Sequence, residues 1–196
     1  MEITKSTLLA VEGKDEEIFF RVLLKELKIP DVQIVSVLGK DNFKTQLKTL
    51  KTTTGFHLVK KLALVRDADN NAKSAFISLK NILKELNMPV PEAIGQFATS
   101  DKISCGIYIM PCYPSTGMLE NLCLQSVEQT PDFDCIEKLY NCINNKPDNL
   151  AKSKVQIYLA LQNPIVNSVG LGAEKKYWNF EHNCFNELKH FLEQMR

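Results

Sequence analysis

Two acidic strand ends carry the residues of this chain best suited to chemistry. One is Asp67-Ala68-Asp69, which follows the apolar run Leu62–Val65 and leads into Asn70-Asn71. On an extended backbone, residues two apart face the same way at roughly 6–7 Å between Cα atoms, a span that a hydrated divalent ion can bridge. Asp and Asn after a strand are also turn formers and helix N-caps, so the pair alone leaves both readings open. The other strand end is Glu12, which closes the apolar run Thr7–Val11 and precedes Gly13. In a βαβ arrangement both ends open on the same edge of a parallel sheet, where such folds place their ligands. Glu12, Asp67 and Asp69 would then converge in one crevice.

The elements that must position these residues follow from the hydrophobic pattern. After Thr7–Val11 the spacing predicts a helix from about Asp15 to Leu27, with Ile18, Phe19, Val22, Leu23 and Leu27 on one face and Pro30 beyond its end. Val32–Leu38 reads as a second strand ending at Gly39, with Asp41 as the cap of a helix buried through Phe43, Leu47 and Leu50. Leu62–Val65 is the third strand, and a helix from about Lys73 to Leu86 follows it. Such alternation predicts a parallel sheet with helical crossovers. Ala93–Phe97 and Ile103–Met110 read as a hairpin or as two further strands. From Gly117 on, helices are expected at about Met118–Gln125, Asp132–Asn144, Ala151–Leu161 and Cys184–Met195, with loops at Asn145–Asn149 and Gln162–Gly172.

Composition bounds the function. With 196 residues, 44% of them hydrophobic, the chain can build one good core. No stretch approaches the roughly 20 apolar residues of a membrane span, and Met1-Glu2-Ile3-Thr4 does not look like a signal region, so a cytoplasmic protein is expected. The six cysteines should then stay reduced, as small core residues for the most part. No CxxC occurs, which disfavours a structural zinc site. A net charge of +1 disfavours binding of nucleic acid by bulk charge, but residues 1–84 hold 15 Lys+Arg against 10 Asp+Glu. An acidic site in basic surroundings suits a phosphate-bearing substrate.

An apolar strand ending in Glu12-Gly13, Gly39 after the second strand, and a third strand running into Asp67 and Asp69 together resemble the TOPRIM domain of topoisomerases, bacterial primases, recombination mediators and overcoming-lysogenization-defect (OLD) nucleases. The order of VEGKDEEIFF (Val11–Phe20), GKDNFK (Gly39–Lys44), DADNN (Asp67–Asn71), IMP (Ile109–Pro111), GMLENLC (Gly117–Cys123) and YWNF (Tyr177–Phe180) is similar to small stand-alone TOPRIM-like proteins of a domain-of-unknown-function family. The resemblance implies a TOPRIM-like (Rossmann-like) α/β core over residues 1–125 and a helical extension over 126–196 packed on the same domain. It implies Mg²⁺ or Mn²⁺ held by Asp67 and Asp69, with Glu12 as general acid/base. Glu120 is similar to the extra acid that completes a metal site in OLD-type nucleases, and Lys154 or its neighbour Lys152 takes the place of a lysine assisting phosphate chemistry. The resemblance reaches neither an OLD-type ATPase domain nor a tyrosine-bearing cleavage domain, so topoisomerase activity is not expected and control is expected to fall to a partner protein.

Ordinary structural roles stand beside these. Glu120, in the first turn of a helix, is favourable there without any metal. Lys40, Lys44, Lys48 and Lys51 form one helical stripe that could track a phosphate backbone or be a solvated face. Lys175, Lys176, Tyr177 and Trp178 interleave basic and aromatic residues as single-strand binders do, although Trp178 and Phe180 also suit anchoring of the last helix. The reading is a Mg²⁺-dependent nuclease acting on DNA or RNA, without a membrane role and with a homodimer left open. Its alternatives are a non-catalytic nucleic-acid-binding or regulatory module and, less favoured, nucleotidyl transfer.

Overall fold

Five apolar runs, short for helices and flanked by turn residues, build the sheet of the computed structural model, which describes residues 2–112 and 115–196. They are β1 (Thr7–Val11), β2 (Val32–Ser36), β3 (Lys61–Asp67), β4 (Phe97–Thr99) and β5 (Ser104–Met110). The order is β2-β1-β3-β5-β4, parallel except for β4, which runs antiparallel to β5. Side chains alternate across the sheet and both faces are covered, which explains why β1 is apolar and buried at every position. Leu8, Ala10, Leu62, Leu64, Ile107 and Ile109 face helices α2 (Phe43–Thr52) and α3 (Ala72–Glu85). Leu9, Val11, Ala63, Val65 and Tyr108 face α1 (Lys14–Glu26) and the C-terminal helices α4 (Leu119–Gln125), α5 (Pro131–Cys142), α6 (Leu150–Ala160), α7 (Val169–Glu174) and α8 (Asn186–Glu193). Residues beyond 125 thus share a core with α1; among them are Ile136, Val155, Leu159, Phe185 and Leu192.

From β1 the chain goes to β2 on one side and returns to β3 on the other. Winding reverses between β1 and β3, so the crevice at their C-terminal ends is the switch point of the sheet. Glu12 and Asp67 stand there.

Several local expectations change. The region expected to be a loop before Gly172 contains the start of α7, whose VGLGAE sequence has little intrinsic helix preference. Its support comes from far along the chain. Asp15 accepts hydrogen bonds from the Val169 and Gly170 amides at 2.9 and 2.7 Å, and Ser168 Oγ accepts one from Leu171 N. A Cβ on Gly170 would stand 2.6 Å from the Asp15 carbonyl oxygen, so glycine is what allows α7 to lie so close to α1. Asp41 does not cap α2: Lys40–Asn42 form a 3₁₀ turn, and the helix begins at Phe43 after Asn42. The short antiparallel strand is Phe97–Thr99 rather than Ala93–Phe97, set by its pairing with Ser104–Gly106. Cys105 and Cys123 are buried, whereas Cys135 and Cys142 lie exposed on α5; all six thiols are free. Trp178 is an anchor: it is buried, donates Nε1–H to the Val169 carbonyl at 2.8 Å and stacks on Tyr158. Among the described residues no helix is long and apolar enough to cross a membrane.

The bonds from the α7 amides end on one carboxylate, so Asp15→Ala is expected to lower the unfolding free energy by about 1–3 kcal/mol. Urea denaturation measures this; an unchanged midpoint would mean that Asp15 does not hold α7.

Candidate active site

The site is built around Asp67, the last residue of β3. Its carboxylate is buried, and its Oδ1 accepts a hydrogen bond from the Leu119 amide at 3.0 Å. Its own backbone N–H donates to Glu12 Oε1, also at 3.0 Å. One residue therefore ties the end of β3 to the end of β1 and to the first turn of α4. The α4 turn is shaped for this contact. Gly117 takes φ +124°, and Asn121 Oδ1 accepts from Met118 N at 3.0 Å, folding the segment back over the strand end.

Burial pushes the Asp67 carboxyl well above the usual carboxylate range, and Glu12, Glu16 and Glu120 push it further. Glu12 is raised by burial as well, against the opposing pull of the Asp67 amide and of Arg66. Glu16 is a member that the sequence reading did not assign. A Cβ on Gly13 would stand 2.6 Å from Glu16 Oε2, so the missing side chain leaves room for the Glu16 carboxylate to fold back over the start of α1, beside Glu12. Burial raises its proton affinity, and Asp15 and Glu120 add to the effect. The signal for it was the i,i+4 spacing of Glu12 and Glu16 across a strand-to-helix junction whose intervening Gly13 has no side chain. Glu120 is raised by burial and relieved in part by Lys152, whose Nζ lies 3.9 Å from it. Four carboxylates thus compete for protons at one end of the sheet, faced by Arg66 and Lys152.

The other expected residues are placed differently. Asp69 is not on extended backbone: it has φ +49° and forms an isolated antiparallel bridge with Gly117, at 2.8 and 2.7 Å. That turn removes the same-side geometry expected of the DxD spacing, and the Asp69 carboxylate instead pairs with Lys40 at 2.7 Å. Lys154 pairs with Glu137 and lies over the Phe133 and Tyr140 rings, so Lys152 is the lysine of the two that stands by Glu120. Lys44 crosses to Glu85 of α3 at 2.7 Å. Lys51 donates to the Leu86 carbonyl at the end of that helix, also at 2.7 Å. Lys48 is close enough to Glu85 to lower its proton affinity, after the larger effect of Lys44. Between α2 and α3 runs a groove of about 530 Å³ lined by Lys40, Lys44, Arg66, Asp69, Ser74 and Ser78, among others. Arg66 Nε is buried, has no hydrogen-bond partner and lies 3.6 Å from Glu12 Oε1.

Among the described residues no three His, Cys, Asp or Glu side chains are disposed so as to hold a metal ion together. The chemistry of the donors nevertheless fits a hard divalent cation: the four acids offer carboxylate oxygens alone, and Mg²⁺ and Mn²⁺ prefer oxygen ligands. A cation near them would relieve the mutual repulsion that now raises their proton affinity.

Residues 6–196 match the family model described as "Protein of unknown function (DUF3226)". Among solved structures, the chain is similar to a hypothetical protein of Pyrococcus horikoshii OT3, with 21% identity, a TM-score of 0.63, and coverage of 98% of this chain and 95% of that one. It is similar also to the C-terminal region of the OLD protein of Xanthomonas campestris pv. campestris, with 15% identity, a TM-score of 0.52, and coverage of 98% and 97%. The C-terminal region of the Burkholderia pseudomallei OLD protein gives 15% identity and a TM-score of 0.51, with coverage of 99% and 100%. At these identities the likeness is one of fold, and it agrees with the TOPRIM-like architecture. No curated protein matches.

The raised carboxyls set the sign of a pH effect. Asp67, Glu12, Glu16 and Glu120 bind protons more tightly in the folded chain than at their unfolded values of about 3.9–4.3. Between those values and the raised ones the native state carries more protons, so stability falls as pH rises through the window. In chelator the melting temperature is expected to be higher at about pH 5 than at about pH 8, and millimolar Mg²⁺ or Mn²⁺ should restore most of the loss. A stability that rises steadily over this range in chelator, with no response to metal, would contradict the cluster.

Proposed function

The chain belongs to the DUF3226 family, and on that premise we propose that it is a metal-dependent nuclease cleaving phosphodiester bonds of DNA or RNA. The observation that carries this reading is the gathering of Glu12, Glu16, Asp67 and Glu120 at the switch point of a TOPRIM-like sheet. The proposed ion is Mg²⁺ or Mn²⁺, held by Asp67 with Glu16 and Glu120. Asp69 is available to join them on release from Lys40. Such an ion, when bound, neutralises charge developing on a phosphate and lowers the pKa of a bound water.

The chain's own residues supply the rest. Glu12, with a proton affinity raised by burial, stands where it can take a proton from the attacking water. The Asp67 amide and Arg66 hold its carboxylate in place. Arg66, Lys40 and Lys44 line the groove that leads away from the acids and form the proposed path of the substrate backbone. Lys152 stands on the other side of Glu120, where it can meet a phosphate oxygen. Lys154 and Lys51 have structural partners and are left out of the path, and Lys48 is assigned to the rim beside Lys44.

Cleavage is tested by incubating purified protein with single- and double-stranded DNA and RNA in Mg²⁺, Mn²⁺ or chelator. Cleavage is expected with metal only, and Asp67→Asn should lower it by about 10²-fold or more. Glu12→Gln should lose turnover by a similar factor while keeping the metal-induced rise in melting temperature. Metal-dependent stabilisation and nucleic-acid binding without cleavage of any of these substrates would favour the non-catalytic binding module.

Lys40 and Lys44 are each released from an acid when they meet a phosphate. Replacing both by Gln is expected to flatten the slope of log affinity against log salt on duplex DNA by about 2. An unchanged slope would remove the groove from the path.

A further inference from the structure

The far edge of the sheet carries a second feature that the nuclease reading does not use. β2 pairs with β1 alone and so forms an open edge. The Val37 amide donates to the Val11 carbonyl at 2.8 Å. By strand alternation, Gln33 and Val35 also turn their backbone groups inward, and Val32, Ile34 and Ser36 turn theirs outward. Lys5 Nζ reaches the outward Val32 carbonyl at 3.5 Å. Among the described residues, no hydrogen bond engages the backbone groups of Ile34 or the amide of Ser36 on that side.

Beside this edge, between β2 and α1, lies a groove of about 650 Å³. Its floor is apolar, with Leu24 and Ile29 buried and Ile34 half-buried. Its walls carry Lys5, Arg21, Lys25 and Lys28 against a single acid, Glu17, which is already paired with Arg21 at 2.8 Å. For a chain whose net charge is +1, this is a strong local excess of positive charge. Arg21 and Lys25, four apart, share one stripe of α1, and Lys28 follows in the left-handed turn just after the helix.

We infer that this edge is a docking surface for an extended acidic peptide of a partner protein, added to the sheet as a strand alongside β2. The free backbone groups of Ile34 and Ser36 supply the pairing, the groove takes the apolar side chains on one face of the peptide, and the four cations select acids flanking them. A second copy of this chain is a poor occupant, because edge-to-edge pairing would bring two such basic walls together. The groove follows α1 from Glu17 to Lys28 and the start of β2, and the added strand would lie on the side of β2 away from β1 and β3, whose ends carry Glu12 and Asp67. A docked peptide would therefore leave the candidate active site open.

The probe is a fluorescein-labelled decapeptide of alternating glutamate and valine, followed by fluorescence anisotropy and by amide hydrogen exchange of the full chain. The peptide is expected to bind, with affinity falling as salt is raised. At saturation, exchange at the Ile34 and Ser36 amides should slow by about tenfold or more, with Val35, already paired within the sheet, unchanged. The triple variant Arg21→Glu, Lys25→Glu, Lys28→Glu should bind at least about tenfold more weakly. The same peptide N-methylated at alternate residues keeps its charge but cannot pair, and should lose at least as much against the wild-type chain. Absence of binding at millimolar peptide, equal binding of the methylated peptide, or binding without protection of Ile34 and Ser36 would overturn the inference. Protection of these amides by oligothymidylate and not by the peptide would overturn it also, and would make the groove a nucleic-acid surface.

Discussion

Asp67 is the residue on which the arrangement at the sheet's C-terminal edge depends. A carboxylate buried at the end of a central strand is costly unless it is hydrogen-bonded, and here Leu119 N supplies the bond. The Asp67 amide in turn holds Glu12. Three segments separated by about fifty residues each are thereby fixed to one another. The position of α4, and with it Glu120, follows from that contact, and the fold-back of Glu16 over Gly13 brings in the fourth acid. The cluster is electrostatically unfinished: burial and mutual repulsion both favour protonation, and Arg66 and Lys152 offset only part of this. Such a site is stabilised by a proton, a cation or both, and this gives the proposed chemistry its physical basis.

The ion pairs around the cluster separate its rigid parts from its adjustable ones. Asp67 and Glu12 are held by backbone amides of α4 and β3, which do not move without moving those elements. Asp69 and Lys40 are held by each other, at a partly exposed contact whose worth in water is small. The loop carrying Asp69 is itself anchored through the bridge to Gly117, so what can change is the direction of the side chain more than the path of the backbone. Arg66 has a buried Nε without a partner and lies between Glu12 and the groove, in a place to respond to whatever anion enters.

Much of this was legible in the sequence, because parallel strands buried on both faces leave continuous apolar runs and the acids mark where those runs end. Thr7–Val11 and the run before Asp67 were found in that way, and so was the crevice between them. Side-chain direction was not legible. The DxD spacing implies one face only on extended backbone, and the left-handed turn at Asp69 depends on pairing with Gly117, 48 positions away. Helix α7 was hidden for a similar reason: two glycines argue against a helix locally, and the capping acid, Asp15, lies at the other end of the chain. The partners of the α2 lysines are not legible either: Glu85 and the Leu86 carbonyl, which take Lys44 and Lys51, belong to the end of another helix. Glu16 is hidden in the sequence because Glu12 marks the end of a strand while also beginning the i,i+4 spacing of the next helix.

In the proposed site Asp67, Glu16 and Glu120 hold a divalent cation beside Glu12. Crystals grown with Mn²⁺ and measured for its anomalous scattering test this arrangement most directly. A peak is expected within coordinating distance, about 2.0–2.2 Å, of carboxylate oxygens from Asp67 and at least one of Glu16 and Glu120. A peak bound elsewhere, or none at millimolar Mn²⁺ with the four carboxylates still facing one another, would contradict it.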